Sequence, residues 1–328
     1  MAEPEVATKA PESDALEDSP IPGDTPAQKG VTMGEHCVTD RPTPSGTGPT
    51  GEIRKLGDVD VYVSKPSEYP HVPAKLLLLL TGGTGLKSTN NQIQADKFAS
   101  EGFVVVMPDL FEGDAAPNST TIQEEEGNGA SLSFLDQFKV KAAETAKSFL
   151  IDMWLARHTE EKVMPILHKV IDASKDEFAD AVSNGGGIYA AGYCFGGRYI
   201  LLLASERAPV TAGALWGQKP ADEEAGLVKQ GPFIKAGALA HATLVSTEDF
   251  QGLKSPISLV CVESDPLFPD EVRAAGEDYL SKNNLEHEVQ VYPGVPHGFA
   301  VVGDYEDATI KTAQSTAFDQ MLKWLKEH

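Results

Sequence analysis

From residue 51 onward the chain alternates between two periodicities. Val59, Val61 and Val63 alternate with Asp58, Asp60 and Tyr62, the period of a half-exposed edge strand. Lys75 to Thr81 (KLLLLLT) is apolar on both faces, as a central strand of a parallel sheet must be. Phe103 to Met107 (FVVVM) and Gly187 to Gly192 (GIYAAG) read the same way, and Ala212 to Trp216, Ile257 to Val262 and Glu288 to Val291 follow. Helical stretches lie between most of them. Asn90 to Glu101 reads as a helix stopped at Gly102, and the last helix carries Ile310, Ala313, Ala317, Met321 and Leu325 at spacings of 3 and 4. This alternation predicts an α/β fold, a doubly wound and mostly parallel sheet with helices on both faces.

Two regions depart from the pattern. Residues 112 to 182 hold a loop (Glu112 to Ala130) and two helical stretches, about 135–157 and 160–174. They leave the carboxyl end of FVVVM, where such sheets bind ligands, so this inserted helical segment is placed to roof the site. Residues 1–50 form an acidic, Pro-rich tail and arm ahead of a domain at 51–328. Within the tail, 1–30 has hardly any large apolar side chains and is expected to be disordered, whereas 31–50 is turn-rich and expected to lie along the domain surface.

Charge and composition narrow the function. Lys plus Arg is 27 against 49 Asp plus Glu, a net charge of −22. That excess of acid repels phosphate backbones and anionic membrane surfaces, so neither nucleic acid nor membrane is an expected partner. No run approaches the roughly 20 apolar residues of a membrane span. The N-terminus lacks the basic start and apolar core of a secretory signal. Three cysteines, at 37, 194 and 261, without a C-x-x-C pair, suit a reducing compartment and point to the cytoplasm.

The sharpest chemical signal is Gly192-Tyr193-Cys194-Phe195-Gly196-Gly197, after the strand GIYAAG and before an apolar helix. It is the cysteine version of the G-x-S-x-G nucleophile elbow, a tight strand-to-helix turn that raises the nucleophile above the sheet at a helix N-terminus. The helix dipole there favours a thiolate, and the N–H of Phe195 is placed to form half of an oxyanion hole. The competing readings are a small buried cysteine on a glycine-rich turn, or a phosphate-binding turn. A dinucleotide fingerprint, however, would need glycine where Cys194 stands. Cys261, inside the apolar run SLVCVE, implies no chemistry.

An elbow needs an acid and then a histidine at the ends of later strands. Asp265 follows ISLVCV, with Glu263 and Asp270 as rival carboxylates and a helix N-cap as its alternative role. His297 lies in the stiff loop PGVPHGF after EVQVY, its alternative being a solvent-facing loop histidine. His241 follows a further apolar strand and is either a pocket residue or structural. Trp216 and Arg198 are the other pocket candidates, although Arg198 is expected to face solvent.

PDLFEGD (Pro108 to Asp114), GYCFGGR, the aspartate after ISLVCV and PGVPHGF together resemble the dienelactone hydrolase (carboxymethylenebutenolidase) family, from about residue 52 to the C-terminus. The stretch from AHATLVSTEDF to SPISLVCVESDPLFP looks closest to its fungal members. The resemblance implies an α/β-hydrolase fold, a Cys194-His297-Asp265 triad, and a second oxyanion N–H after KLLLLLT, best matched by Gly83. Two family features are missing. Gly82 stands where enzymes acting on dienelactone carry a glutamate, and Val301 stands where they carry an arginine. No arginine lies between Arg54 and Arg157. The expected activity is therefore hydrolysis of a small ester, lactone or thioester through an acyl-thioenzyme, with no metal or organic cofactor. Secondary-metabolite lactone hydrolysis or acyl transfer on the same triad is the alternative within enzymes. A binding or regulatory protein that has lost turnover is the alternative outside them.

Overall fold

A computed structural model of the chain describes residues 39–117, 149–207 and 230–328. Among these residues eight strands form one sheet: β1 (Glu52–Leu56), β2 (Val59–Ser64), β3 (Lys75–Leu80), β4 (Phe103–Pro108), β5 (Ile188–Tyr193), β6 (Ala236–Ala240), β7 (Ile257–Val262) and β8 (His287–Tyr292). Their spatial order is β1-β2-β4-β3-β5-β6-β7-β8. The β1–β2 and β2–β4 pairs are antiparallel, and every pairing from β4 through β8 is parallel. The sheet is thus mostly parallel, as the continuous apolar runs predict.

The run of leucines in β3 shows why. Leu76, Leu78 and Leu80 enter the core on one face, while Leu77 and Leu79 enter the core on the other. Each contributes about 1.5–3 kcal/mol when fully buried, so exposing either face would cost a large part of a domain's net stability of about 5–15 kcal/mol. One face is covered by α1 (Thr89–Ser100) and the C-terminal α6 (Ala308–Glu327). Their contacts come from Ala95 and Phe98, and from Ala317, Met321 and Leu325 of the expected stripe. The other face is covered by α2 (Glu160–Glu177), α3 (Ala179–Gly185), α4 (Phe195–Leu203) and α5 (Asp270–Lys282).

Several expectations shift. β1 (EIRKL) was not foreseen because only Leu56 of its five residues is buried. The tail 1–30, most of the loop 112–130 and the strand Ala212–Trp216 lie outside the described residues. In the 112–182 segment, α2 is a layer helix. Its stripe Val163, Leu167, Val170 and Ile171 enters the core and packs it beside β1, β2 and β4. Among the described residues of the segment, the helical stretch at 149–157 reaches the carboxyl end of the sheet, where Trp154 meets Phe195 at 5.4 Å.

The topology sets the place of a site. From β3 the chain passes through α1 to β4 on one side, and later returns to β5 on the other side of β3. The crevice beyond the paired ends Leu80 and Gly192 is therefore the topological switch point. It closes tightly because α4 begins almost in contact with β3. A Cβ on Gly196 would lie 2.4 Å from the Leu80 carbonyl oxygen. Gly196→Ala should accordingly lower unfolding stability by about 1–3 kcal/mol, the usual cost of overpacking. Gly48→Ala, with nothing within 4 Å, should leave the urea midpoint unchanged.

Candidate active site

Cys194 stands between β5 and α4 with φ 50° and ψ −116°, a backbone conformation that a residue bearing a Cβ rarely adopts. The surroundings hold it there. Its N–H donates to Ala240 O at 3.1 Å, and its carbonyl accepts from Thr243 N–H at 3.1 Å and Gly197 N–H at 3.0 Å. Gly196 N–H donates to Thr81 O at 3.0 Å, tying the elbow to the end of β3. The N–H of Phe195, at the first helical position, has no acceptor within its own helix. Strain of this kind persists only where neighbours over-determine it.

β7 and β8 bring the other two groups to the same edge. Asp265 lies just past β7, after Ser264 at φ 55°, and is 3% exposed. Its Oδ1 accepts from Leu267 N–H at 2.9 Å, and its Oδ2 accepts from His297 Nδ1–H at 2.6 Å. With Nδ1 committed to the carboxylate, Nε2 is the imidazole nitrogen left to interact with Cys194. Burial pulls the imidazole pKa down. The hydrogen bonds it makes with Asp265 and Cys194 and their charges outweigh it, and His297 is pushed up to about 9. The rival carboxylates are elsewhere: Glu263 is exposed, and Asp270 pairs with Arg273 at 3.0 Å.

The narrow cleft reaching Cys194 draws on several elements. Gly82 and Thr84 come from the loop after β3, Asn90 and Asn91 from the first turn of α1, and His241 from the end of β6. Gly298, Val301, Val302 and Tyr305 come from the segment after β8. A Cβ on Gly82 would sit 3.1 Å from Cys194 Cβ and 3.6 Å from its sulfur, so position 82 directly abuts the thiol. His241 is fully buried and packs edge-to-face against His297 with ring centroids 4.9 Å apart. Gly83 is one residue further on, its carbonyl accepting from Ala116 N–H at 2.9 Å.

The remaining candidates fall differently. Trp216 lies outside the described residues. Arg198 is neither in the Cys194 cleft nor turned to open solvent. Its guanidinium meets Asp249 at 2.9 and 3.0 Å and Glu160 at 3.1 Å, because Asp249 is 1% exposed and needs a cation. In the PDLFEGD turn, Asp109 accepts from the N–H groups of Phe111 and Gly113, which sets Phe111 against Phe195 at 5.2 Å. Cys261 is buried in β7, and burial pushes its thiol up to about 12.

Sequence reasoning missed one side of the cleft altogether. Thr39, Asp40 and Arg41, from the arm expected to lie on the surface, line it together with Cys194. So do Asn90 and Asn91, at 1% and 4% exposure. Two asparagines buried in the first turn of a helix were a legible signal of a polar site, whereas the arm carries no pattern that predicts its docking.

Comparison with known proteins agrees with the fold. The model of the dienelactone hydrolase family matches residues 59–328. The hydrolase tropI of Talaromyces stipitatus is 28% identical over 286 residues, covering 85% of this chain and 91% of that protein. Dienlactone hydrolase 1 of Gibberella moniliformis is 26% identical over 277 residues, covering 84% and 87%. A thermophilic esterase from the Planctomycetes species Thermogutta terrifontis shares the fold at 14% identity with a TM-score of 0.54, over 84% of this chain and 92% of that one. No helix among the described residues is long and apolar enough to cross a membrane.

The raised imidazole is directly measurable. In a nitrogen-detected NMR titration the His297 ring should change protonation near pH 9. Asp265→Asn removes the charge that favours the imidazolium and leaves burial less opposed, so the same ring should titrate well below the wild-type value. An unchanged titration in that variant would remove Asp265 from the coupling.

Proposed function

The chain belongs to the dienelactone hydrolase family, and from that membership we propose that it cleaves a small carboxylic ester, lactone or thioester with Cys194 as nucleophile, His297 as proton carrier and Asp265 as the group that orients it. The observation that carries the reading is the line from the Asp265 carboxylate, 2.6 Å from His297 Nδ1, through the imidazole to Cys194 at the strained elbow.

The mechanism starts from charge. The contact with Cys194 raises the proton affinity of His297, and by reciprocity the imidazolium stabilises the thiolate. At neutral pH the resting pair is thiolate and imidazolium, with the sulfur further favoured by the N-terminus of α4. The thiolate attacks the acyl carbon. The developing oxyanion is held by the N–H of Phe195 and by an N–H from the Gly82-Gly83 turn, assigned to Gly83. His297 Nε2–H protonates the departing alkoxide as the C–O bond breaks, leaving a thioester on Cys194. The neutral imidazole then takes a proton from water, hydroxide adds to the thioester, and collapse releases the acid and restores the thiolate-imidazolium pair. A thiolate leaves a tetrahedral centre more readily than an alkoxide does, so activated esters, enol lactones and thioesters are favoured over amides.

Gly82 shapes this chemistry by lacking a side chain. No carboxylate stands at that position to compete with His297 for the sulfur, so the thiolate is available before substrate arrives. The substrate is a small molecule, and the polar cleft walls favour an oxygen-bearing one.

Cys194→Ala should abolish hydrolysis of an activated aryl ester in a protein that stays folded, while Cys261→Ala retains most of the activity. Asp265→Asn should lower turnover by about three to four orders of magnitude, as loss of the orienting acid does in other triads. Retention of activity by Cys194→Ala would refute the assignment. The pH profile gives an independent check. Acylation needs the imidazolium proton, so kcat/KM should fall as pH rises through about 9. Alkylation by iodoacetamide near pH 6 should be fast in wild type and slow in His297→Ala.

A further inference from the structure

The cleft reaching Cys194 encloses about 30 Å³, room for one or two waters. An acyl group with its leaving group needs a pocket of roughly 300 Å³ or more. One wall must therefore move before substrate can enter.

The walls differ in how they are held. The loop after β3, the end of β6 and the histidine loop after β8 continue directly from strands of the sheet. Thr39–Arg41 belongs to an irregular stretch ahead of β1, and polar contacts fix it to the domain. Asn90 Nδ2–H donates to Arg41 O at 2.7 Å, Asp304 N–H donates to Pro42 O at 2.8 Å, and the Thr43 hydroxyl donates to Asn90 Oδ1 at 2.9 Å. The Arg41 guanidinium lies over the Tyr305 ring, 5.2 Å from its centroid. Hydrogen bonds of this kind contribute roughly 0.5–1.5 kcal/mol each, so the arm can lift without unfolding the domain. Asp40 is exposed, and its hydrogen bonds with Ser88 and Thr84 are ones that water can replace when the arm lifts.

The closed position also depends on a glycine outside the cleft. A Cβ on Gly303 would lie 2.6 Å from Arg41 Cβ, so the arm seats only because position 303 has no side chain. The lining selects as well as blocks. Asp40, Arg41, Thr84 and Asn90 present donors and acceptors, and Val301 and Val302 are its aliphatic members.

We propose that Thr39–Arg41 is the specificity-determining wall of this site: it accommodates small oxygen-bearing acyl groups or lactones and obstructs longer hydrocarbon acyl chains. The proposal rests on the reading of Cys194 as the nucleophile. It deepens that reading by naming the substrate class and the segment that sets it.

The test is Gly303→Ala in the full chain, which pushes the arm from its seat without touching a catalytic group. Two quantities are read: kcat/KM for p-nitrophenyl acetate, butyrate and octanoate, and the labelling rate of Cys194 by a bulky maleimide in a Cys37→Ala background. Wild type should lose activity steeply with acyl length. Gly303→Ala should raise both octanoate hydrolysis and bulky labelling by at least about tenfold, the scale on which a pocket discriminates by size, and should raise acetate hydrolysis by much less. Arg41→Gly, which trims the wall itself, should flatten the chain-length profile in the same sense and covers the case in which Gly303→Ala fails to fold. An unchanged profile and unchanged labelling in both variants would overturn the proposal. Labelling can also be read in Asp265→Asn protein, whose hydrolysis is lost, so failure of the wall is told apart from failure of the nucleophile.

Discussion

The site depends on how closely α4 approaches the end of β3. Gly196 lies against the Leu80 carbonyl, and its own N–H donates to Thr81 O. Gly192 is similarly crowded, since a Cβ there would lie 2.5 Å from Ile200 Cγ1. Side chains at these positions would push the helix away from the sheet. Cys194 would then lose the strained turn that lifts it, the helix N-terminus at its sulfur, and its register with the groups on β7 and β8. The hydrogen bonds of the elbow define where it sits, but the missing side chains decide that it can sit there at all. Packing and chemistry are here one constraint.

What the sequence made legible follows from the same logic. GYCFGG and PGVPHGF could be read because their glycines and prolines answer local backbone demands. Asp265 could be read because a parallel strand delivers the residue after it to the carboxyl edge. The continuous apolar runs of β3, β4, β5 and β7 announced a sheet covered on both faces. β6 (AGALA) was half seen, as an apolar run before His241, because small residues that fit beneath crossing helices carry little strand signature. α2 was placed as part of an insertion because its stripe says that it packs, not what it packs against.

Contacts between distant segments could not be read. Arg41 meets position 303, and nothing local to either residue announces the other. Gly82 and Val301 stand where the resembling enzymes carry a charged side chain. The arm instead brings Asp40 and Arg41 into the cleft from a part of the chain that looked like a surface strand of turns. Where polar residues meet through tertiary docking, composition carries no trace of the meeting, and only the three-dimensional arrangement exposes it.

The ion network behind the elbow has a consequence for descent. Arg198, one turn into α4, and Asp249, 51 residues later, share two hydrogen bonds, with Glu160 and Arg207 completing the charge balance. Asp249 is 1% exposed, so loss of Arg198 alone takes away the two-point partner of a buried carboxylate and costs about 3–5 kcal/mol. Replacing both with well-packed apolar residues costs far less. Loss of charge at 198 is therefore tolerated best when position 249 loses its charge too, which ties together two positions that the chain separates widely.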